Sequence, residues 1–369
     1  VDFFATAAKG TEPALRDELR EVGLRGVRAD RGGVHFTGEF EDGWRACLWS
    51  RVAVRILAWR GSFSAHNEQA LYDGIRALEW RHFLSPKLKL AVKASCRSSR
   101  LTHSQYVAQK TKDAIVDQIR DDVGQRPSVD LEDPDVLVVV HLANDEAQVF
   151  VDLAGEALHR RGWREARGEA PLKENLAAAM LRLTGWDRKV PLVDPMCGAG
   201  TIAIEAAAWA RNIAPGLSRK RFGFERWAYF DEAMRPRLAM LRDEARAARR
   251  EEGAEVFASD ESETMCEAAF ANATRAGVDI LVTQADVRDL APLGPKGFVA
   301  TNPPYGERLA TSDDLARGMA RAFEAMRGHD LGVLAGAPTI ERAFTLEPRK
   351  WWLVYNGPIE CHLLAYHVA

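Results

Sequence analysis

Two adjacent prolines at the end of an apolar run constrain this chain most. Gly297-Phe298-Val299-Ala300 reads as a short buried strand, and Thr301-Asn302-Pro303-Pro304-Tyr305-Gly306 follows it directly. Each proline fixes φ and removes a backbone donor, so neither a strand nor a helix continues through the pair without strain. The stretch is therefore a stiff loop at the carboxyl end of a strand, the edge at which open α/β sheets place their ligands. Such a loop presents the Asn302 side-chain oxygen and the Pro303 carbonyl as two acceptors at fixed spacing, with the Tyr305 ring beside them. Two acceptors and a stacking ring suit a planar amine on a heteroaromatic ring, such as a nucleobase amino group. A proline-stiffened turn with Asn as an ordinary turn former accounts for the same residues without any ligand.

A second motif lies upstream. Leu192-Val193-Asp194 ends a strand, Pro195-Met196-Cys197-Gly198-Ala199-Gly200-Thr201 makes a tight turn, and the alanine- and isoleucine-rich stretch after it reads as a helix packed on a sheet. Gly198 and Gly200 let the backbone approach a ligand closely. Gly198 to Ala203 also fits a dinucleotide fingerprint. Two details oppose that reading. Asp194 puts an acid where a pyrophosphate needs neutral or positive surroundings. The ribose-binding acid expected about 20 residues further on falls in Trp209-Ala-Arg-Asn-Ile, with no strand to carry it. An acid before the glycines suits instead a cofactor with a cationic group, such as S-adenosyl-L-methionine.

Two further strands end in acids. Val256 to Asp260 places Asp260 where it can accept both ribose hydroxyls of an adenosyl group. Ile280 to Asp286 places Asp286, with the backbone of Val287 beside it, to accept adenine amino hydrogens. One acid at a strand end can be only a cap; Asp194, Asp260 and Asp286 at three successive strand ends are harder to explain so. Leu331 to Gly336 and a hairpin around the turn signal Asn356-Gly357 complete a seven-stranded, mostly parallel sheet with an antiparallel edge.

The N-terminal half has a different pattern. Asp2 to Ala7, Val34 to Thr37 and Val52 to Trp59 read as strands, with helices at Thr11 to Leu19 and Asp42 to Ser50. This is a small α+β layer of ferredoxin-like type. A second unit follows, with a helix at Ala70 to Ala77, a strand from Leu88, a helix from Ser104 to Arg120, and a strand pair around Asn144-Asp145. Its stretch from Lys87 to Lys112 holds Lys87, Lys89, Lys93, Arg97, Arg100, Lys110 and Lys112 with no acidic residue. The chain as a whole has a formal net charge of −3, so any nucleic-acid surface must be a local patch such as this one. A solvated helix face is the alternative, but there bases usually alternate with acids. The long segment from Trp209 to Gly253 adds Arg219, Lys220 and Arg221 as candidate RNA contacts. Its Phe222, Phe224 and Trp227 read as packing against the sheet.

These motifs resemble one family. Asp194 to Thr201 followed by Asn302-Pro-Pro-Tyr is similar to the cofactor and amine motifs of S-adenosylmethionine-dependent amino-group methyltransferases. Pro171-Leu-Lys-Glu174-Asn175, Gly306-Glu307-Arg308 and Asn356-Gly-Pro-Ile-Glu-Cys resemble the bacterial 23S ribosomal RNA guanine-N2 methyltransferases that carry a THUMP domain. Ala5 to Glu12, Gly32 to Phe36, and Ser104 to Tyr106 with Lys112 to Ile119 match the same family.

The resemblance implies a Rossmann-like class I methyltransferase domain (170–369) after a ferredoxin-like subdomain (1–60), a THUMP RNA-binding domain (61–157) and a basic linker (158–169). Arg160, Arg161, Arg164 and Arg167 of that linker either touch RNA or solvate it. The resemblance also implies S-adenosyl-L-methionine as cofactor, S-adenosyl-L-homocysteine as product, Glu174 near the cofactor, and a 23S guanosine near the peptidyl-transferase centre as target. Asn302, Pro303 and Tyr305 are the expected catalytic set, with Asn302 also near the cofactor. A tRNA guanine or an adenine N6 amine would satisfy the same four-residue motif, and a non-catalytic RNA-binding assembly factor is the reading from another class. Cys197 as a covalent nucleophile does not fit a motif that serves amines.

Five scattered cysteines with no C-x-x-C pair argue against a metal site or disulfide framework and suit a reducing cytoplasm. No apolar run reaches the roughly 18–20 residues of a membrane span, and no signal peptide is expected. Some relatives continue into a second methyltransferase domain. Here the chain stops after the hairpin, so one activity is expected, in a monomer.

Overall fold

The chain is described here from a computed structural model that covers residues 1–164, 172–305 and 312–369. Its first half holds β1 (Asp2–Thr6), α1 (Glu12–Glu21), β2 (Arg25–Asp30), β3 (Gly33–Thr37), α2 (Phe40–Trp49), β4 (Arg55–Ser64), α3 (Glu68–Arg76), β5 (Lys89–Arg97), α4 (Ser104–Val123), β6 (Ser128–Val129), β7 (Val136–Ala143) and β8 (Glu146–Asp152). These strands form one eight-stranded sheet in the order β2-β3-β1-β4-β8-β7-β5-β6.

The two small units read from the sequence are thus halves of a single sheet. β4 pairs with β1 on one side and β8 on the other, and it runs straight through residue 60, with a bulge between Trp59 and Gly61. β2 escaped the sequence reading because its pattern is almost wholly exposed. The β7–β8 turn was legible: Asn144 and Asp145 take φ of 53° and 61°, as a two-residue hairpin with native twist requires.

The second half holds α5 (Glu174–Leu183), β9 (Leu192–Asp194), α6 (Thr201–Ala210), α7 (Met234–Ala247), β10 (Val256–Asp260), α8 (Glu263–Ala276), β11 (Leu281–Gln284), β12 (Gly297–Thr301), α9 (Asp313–Glu324), β13 (His329–Ala335), α10 (Pro338–Ala343), β14 (Lys350–Asn356) and β15 (Ile359–His367). Seven strands run in the order β11-β10-β9-β12-β13-β15-β14. β11 through β13 are parallel, and β15 is antiparallel to both β13 and β14. This is the expected seven-stranded sheet with its antiparallel edge. β9 has β10 on one side and β12 on the other, so the strand order reverses there. A crevice opens at such a switch point beyond the strands' carboxyl ends. All five residues of β12 are buried, as befits a central strand covered on both faces.

The segment between α6 and β10 corrects one expectation. Phe222, Phe224 and Trp227 are buried, but against the N-terminal half rather than the catalytic sheet. Phe224 stacks on Trp44 with ring centroids 5.1 Å apart, and Trp227 meets Phe83 edge-on at 5.0 Å. Leu238, Leu241 and Ala245 of α7 join the same core. The segment clamps one half to the other.

Candidate active site

A cavity of about 480 Å³ lies at the switch point. It gathers Asp194, Pro195, Gly198, Thr201, Asp260, Asp286, Val287, Asn302, Pro303 and Tyr305. The turn after β9 builds its floor. Gly198 and Gly200 take φ of 50° and 83°, left-handed conformations that glycine adopts without a steric penalty. Gly200 opens α6. Asp260 fixes this turn: one carboxylate oxygen accepts the Gly198 N–H at 2.9 Å and the other the Ser262 N–H at 3.0 Å. Each oxygen has a second lone pair, so acceptor capacity is left for ligand hydroxyls.

Asp194 is buried, with the Met196 N–H as a long 3.4 Å donor. Burial pushes its carboxyl up to about 7, and the charge of Asp260 adds to the effect. A desolvated carboxylate without a cation is a poor ground state, and an ammonium group entering the cavity would relieve it. Asp286 differs. Its carboxylate accepts the Arg288 N–H at 2.8 Å and is forked by the Arg288 guanidinium. Those bonds hold it down to about 2. Arg288, which the sequence reading passed over, therefore competes for the acceptor assigned to adenine.

Asn302 carries the feature with the clearest chemical meaning. Its Oδ1 is buried and has no hydrogen-bond partner among the described residues. A buried amide oxygen normally finds a donor, so this one is an unused acceptor on a residue that lines the cavity. Tyr305 is held from two sides. Its hydroxyl accepts from Asn356 Nδ2 at 2.7 Å, and a Cβ on Gly336 would stand 2.3 Å from the ring. Burial raises the phenol well above the ordinary tyrosine range, so Tyr305 stays neutral. Asn356 was legible only as a turn residue. Its second job depends on a partner 51 residues away.

Glu174 requires a correction: it does not line the cavity. It accepts from Arg164 Nε at 2.9 Å, and Arg164 lines the cavity in its place. Burial explains the swap, since a carboxylate at that depth needs a paired cation, and Arg164 supplies it. Asn175 points to the Val52 carbonyl of the N-terminal half at 3.5 Å. The Cys197 thiol is raised far above its ordinary value, first by burial and then by Asp194 and Asp260, so no thiolate forms there. Leu172 and Ile359, each within a motif of the family resemblance, also line the cavity, as do Glu261, Met265 and Leu315, which carry no sequence signal of their own.

The basic residues divide. On β5 the pattern alternates, so Leu90 and Val92 enter the core shared with α4 while Lys89, Lys93 and Arg97 are exposed on the opposite face. Lys110 and Lys112 belong to α4, where Lys110 sits over the Tyr72 ring and Lys112 pairs with Asp113. The stretch from Lys87 to Lys112 is therefore not one patch. Acids also arrive from elsewhere in the chain: Asp130 takes Lys89 at 2.9 Å and Asp145 takes Arg100 at 3.5 Å. Lys87, Lys93, Arg97 and Lys220 have no ion pair among the described residues.

Arg219 is not available to RNA. Its guanidinium donates to the carbonyls of Ala154, Glu156, Ala157 and Arg160 at 2.7–3.2 Å. Arg221 is exposed and pairs loosely with Asp133 at 3.6 Å. In the linker, Arg161 is buried on Glu205 and the Arg51 carbonyl, and Arg160 pairs with Glu156. Arg167, Pro171 and the stretch Gly306-Glu307-Arg308 lie outside the described residues.

Asp286 does not close β11, as expected, but lies two residues beyond it and caps the turn Val287–Asp289. A reversed strand order, a glycine turn, acids ending β9 and β10 with a third just past β11, and an unpartnered Asn acceptor on a Pro-Pro loop together define a Rossmann-like methyltransferase fold. Comparison with known proteins narrows the class. Residues 161–365 match the family described as RMKL-like, methyltransferase domain, and the chain belongs to it. Residues 2–57 match the RlmL ferredoxin-like domain and residues 65–152 the THUMP domain. The chain is 40% identical over 387 residues to the ribosomal RNA large subunit methyltransferase K/L of Syntrophotalea carbinolica, with 100% of this chain and 54% of the relative covered. It is 42% identical over 379 residues to the protein of the same name from Methylococcus capsulatus, covering 100% and 51%. The chain thus spans about half the length of the curated relatives it matches. Among solved structures, SMU.472 complexed with SAH superposes with a TM-score of 0.89 at 32% identity, covering 100% of this chain and 98% of that one.

Proposed function

We propose that this chain transfers a methyl group from S-adenosyl-L-methionine to the exocyclic N2 of a guanosine in 23S ribosomal RNA. The observation that carries the reading is the buried, unpartnered Oδ1 of Asn302 beside a cavity with a cation-seeking carboxylate. The cavity fits the cofactor on the same ground. Asp194 takes the ammonium, Asp260 the ribose hydroxyls and Asp286 with Val287 the adenine edge, against Pro195, Gly198 and Thr201; Gly200, expected beside them, opens α6 and does not line the cavity. When bound, the cofactor supplies an electrophilic methyl group on a sulfonium.

The protein's part is positioning and electrostatics. The guanine N2 lone pair is delocalised into the ring. Accepting its two N–H groups on Asn302 Oδ1 and the Pro303 carbonyl keeps that pair on nitrogen and aims it. Tyr305 holds the base by stacking. No strong general base is needed, because the methylated, cationic nitrogen loses its proton readily. A paired target base must first be flipped out.

RNA is the partner in this reading, held on the N-terminal half through Lys87, Lys89, Lys93, Arg97 and Arg100, and on the segment packed against it through Lys220 and Arg221. The chain acts as a monomer in the cytoplasm. No described helix is long and apolar enough to cross a membrane. The SMU.472 complex and the names of the curated relatives support the cofactor and the substrate class.

The test is incubation with tritiated S-adenosylmethionine and protein-free 23S rRNA, 16S rRNA or bulk tRNA, followed by nucleoside analysis. N2-methylguanosine from 23S rRNA alone is expected. Label in tRNA or as N6-methyladenosine would overturn the substrate while keeping the cofactor. Absence of cofactor binding would leave an RNA-binding assembly factor.

A further inference from the structure

Among the residues lining the cavity, four carry acids (Asp194, Asp260, Glu261 and Asp286) and one carries a permanent cation, Arg164. The Arg164 side chain is 12% exposed. Its Nε donates to Glu174 at 2.9 Å, and its Nη2 donates to the Leu172 carbonyl at 3.1 Å and to Thr201 Oγ1 at 2.8 Å. Its Nη1 is buried and has no acceptor among the described residues. An unpaired guanidinium nitrogen out of solvent is costly, and the three fixed bonds orient it like a tool in a vice. Because Glu174 already balances the charge, Arg164 rests in the empty cavity without an excess positive charge while keeping a donor free.

From this we infer that Arg164 is the receptor for the cofactor's carboxylate. The inference rests on the cavity being the S-adenosylmethionine site. The amino-acid end of that cofactor is zwitterionic, and Asp194 can answer only its ammonium. The carboxylate would otherwise face a cavity lined with four acids. Arg164 Nη1, beside the first turn of α6, is the complementary group, and a guanidinium suits a carboxylate better than an ammonium does. Glu174 then acts through Arg164 as a positioning residue. This explains why an acid near the cofactor motif in sequence does not reach the cavity.

The discriminating ligand is decarboxylated S-adenosylmethionine, which keeps the adenosine, sulfonium and amine and lacks the carboxylate. Calorimetric titration of the unaltered chain should show S-adenosylmethionine binding roughly ten- to a hundred-fold more tightly than the decarboxylated form, the scale of one charge-assisted hydrogen bond. In Arg164→Gln that ratio should fall to about one, with affinity for the decarboxylated form kept. A general loss of structure would weaken both ligands together and leave the ratio alone. Equal affinities in the unaltered chain would overturn the role of Arg164 without touching the cavity's assignment, and that measurement needs no variant to fold. An unchanged ratio in Arg164→Gln would overturn it equally. Failure of the unaltered chain to bind either ligand would remove the assignment of the cavity itself, and this inference with it.

Discussion

Asp194 turns the cavity's preference for a cation into a pH dependence. Its carboxyl is pushed up to about 7 in the free protein, yet it must be ionised to receive the cofactor's ammonium. Binding therefore requires loss of a proton that the free site holds through much of the mildly acidic range. With that value, roughly three-quarters of the sites are ionised at pH 7.5 and about 3% at pH 5.5. Affinity for S-adenosylmethionine should thus fall by roughly 25-fold across that interval, approaching tenfold per pH unit at its acid end. The sign follows from the raised value. The proton competes with the ligand, so lowering the pH weakens binding. Asp286 lies near 2, and the Tyr305 and Cys197 groups are raised above this interval, so none of these three can imitate the effect.

Calorimetry or fluorescence titration at several pH values, in buffers of matched ionic strength, reads the profile directly. 5′-Methylthioadenosine, which lacks the ammonium, is the control and should bind with little pH dependence. Asp194→Asn should bind S-adenosylmethionine more weakly and with a flat profile, because an amide neither titrates nor pairs with a full charge. A flat profile in the unaltered chain would refute the assignment of Asp194 to the ammonium, and so would the same slope in Asp194→Asn.

Asn302→Ala should slow methyl transfer by roughly two orders of magnitude or more, the scale for a polar group that acts in the transition state, while cofactor affinity stays nearly intact; single-turnover rates beside a titration separate the two. Gly336→Ala forces a Cβ to 2.3 Å from the Tyr305 ring, so the ring must shift. Overpacking of this kind costs about 1–3 kcal/mol, and transfer should drop in a chain whose melting temperature falls only modestly. Lys93→Ala with Arg97→Ala should weaken RNA binding and reduce the slope of log affinity against log salt by about 1.4, two contacts at about 0.7 each on single strands. Arg219→Met should leave that slope alone and instead destabilise the chain by about 2–5 kcal/mol in denaturant unfolding, since it uncovers four carbonyls at once.

How much was legible depended on how local the chemistry is. The Pro-Pro loop, the glycine turn and the acids ending β9 and β10 each act within a few residues, and the fold places them where the sequence implies; Asp286 falls two residues past β11. The Asn144-Asp145 turn was readable for the same reason. Partner choice across the chain was not. Arg219, Lys220 and Arg221 are adjacent and alike in composition, yet only Arg219 meets the carbonyls of residues 154–160. Glu174 and Arg164 are ten apart in sequence, and nothing in either marks the bond between them. The basic run from Lys87 to Lys112 contains no acid, but Asp130 and Asp145 reach it through the fold. Strand alternation alone would have separated Lys89, Lys93 and Arg97 from the two helical lysines, a signal that was present and unused.

The first half of the chain braces the elements around the cavity from outside. Lys9, in the loop after β1, donates to the Tyr355 hydroxyl at 2.8 Å and lies 4.1 Å from its ring centre. Tyr355 in turn donates to Glu360, and the next residue, Asn356, holds Tyr305. On the other side of the site, Glu205 of α6, the helix that begins at the glycine turn, receives Arg161 at 3.2 Å and Arg51 at 3.6 Å in a buried cluster. Arg182 of α5 reaches Glu21 of α1 at 3.1 Å. Trp44, Phe83, Phe224 and Trp227 share one apolar core across the junction. A hinge between the halves would have to break these contacts together, including buried charges whose separation is strongly unfavourable. The distance from the basic face of β5 to Asn302 is therefore set by packing. Under the proposed function, an RNA held on that face would meet the cavity at a fixed reach, and selection of the target nucleotide would come from the spacing between the two surfaces. The four-residue amine motif, which any exocyclic amine satisfies, need not supply that selection alone.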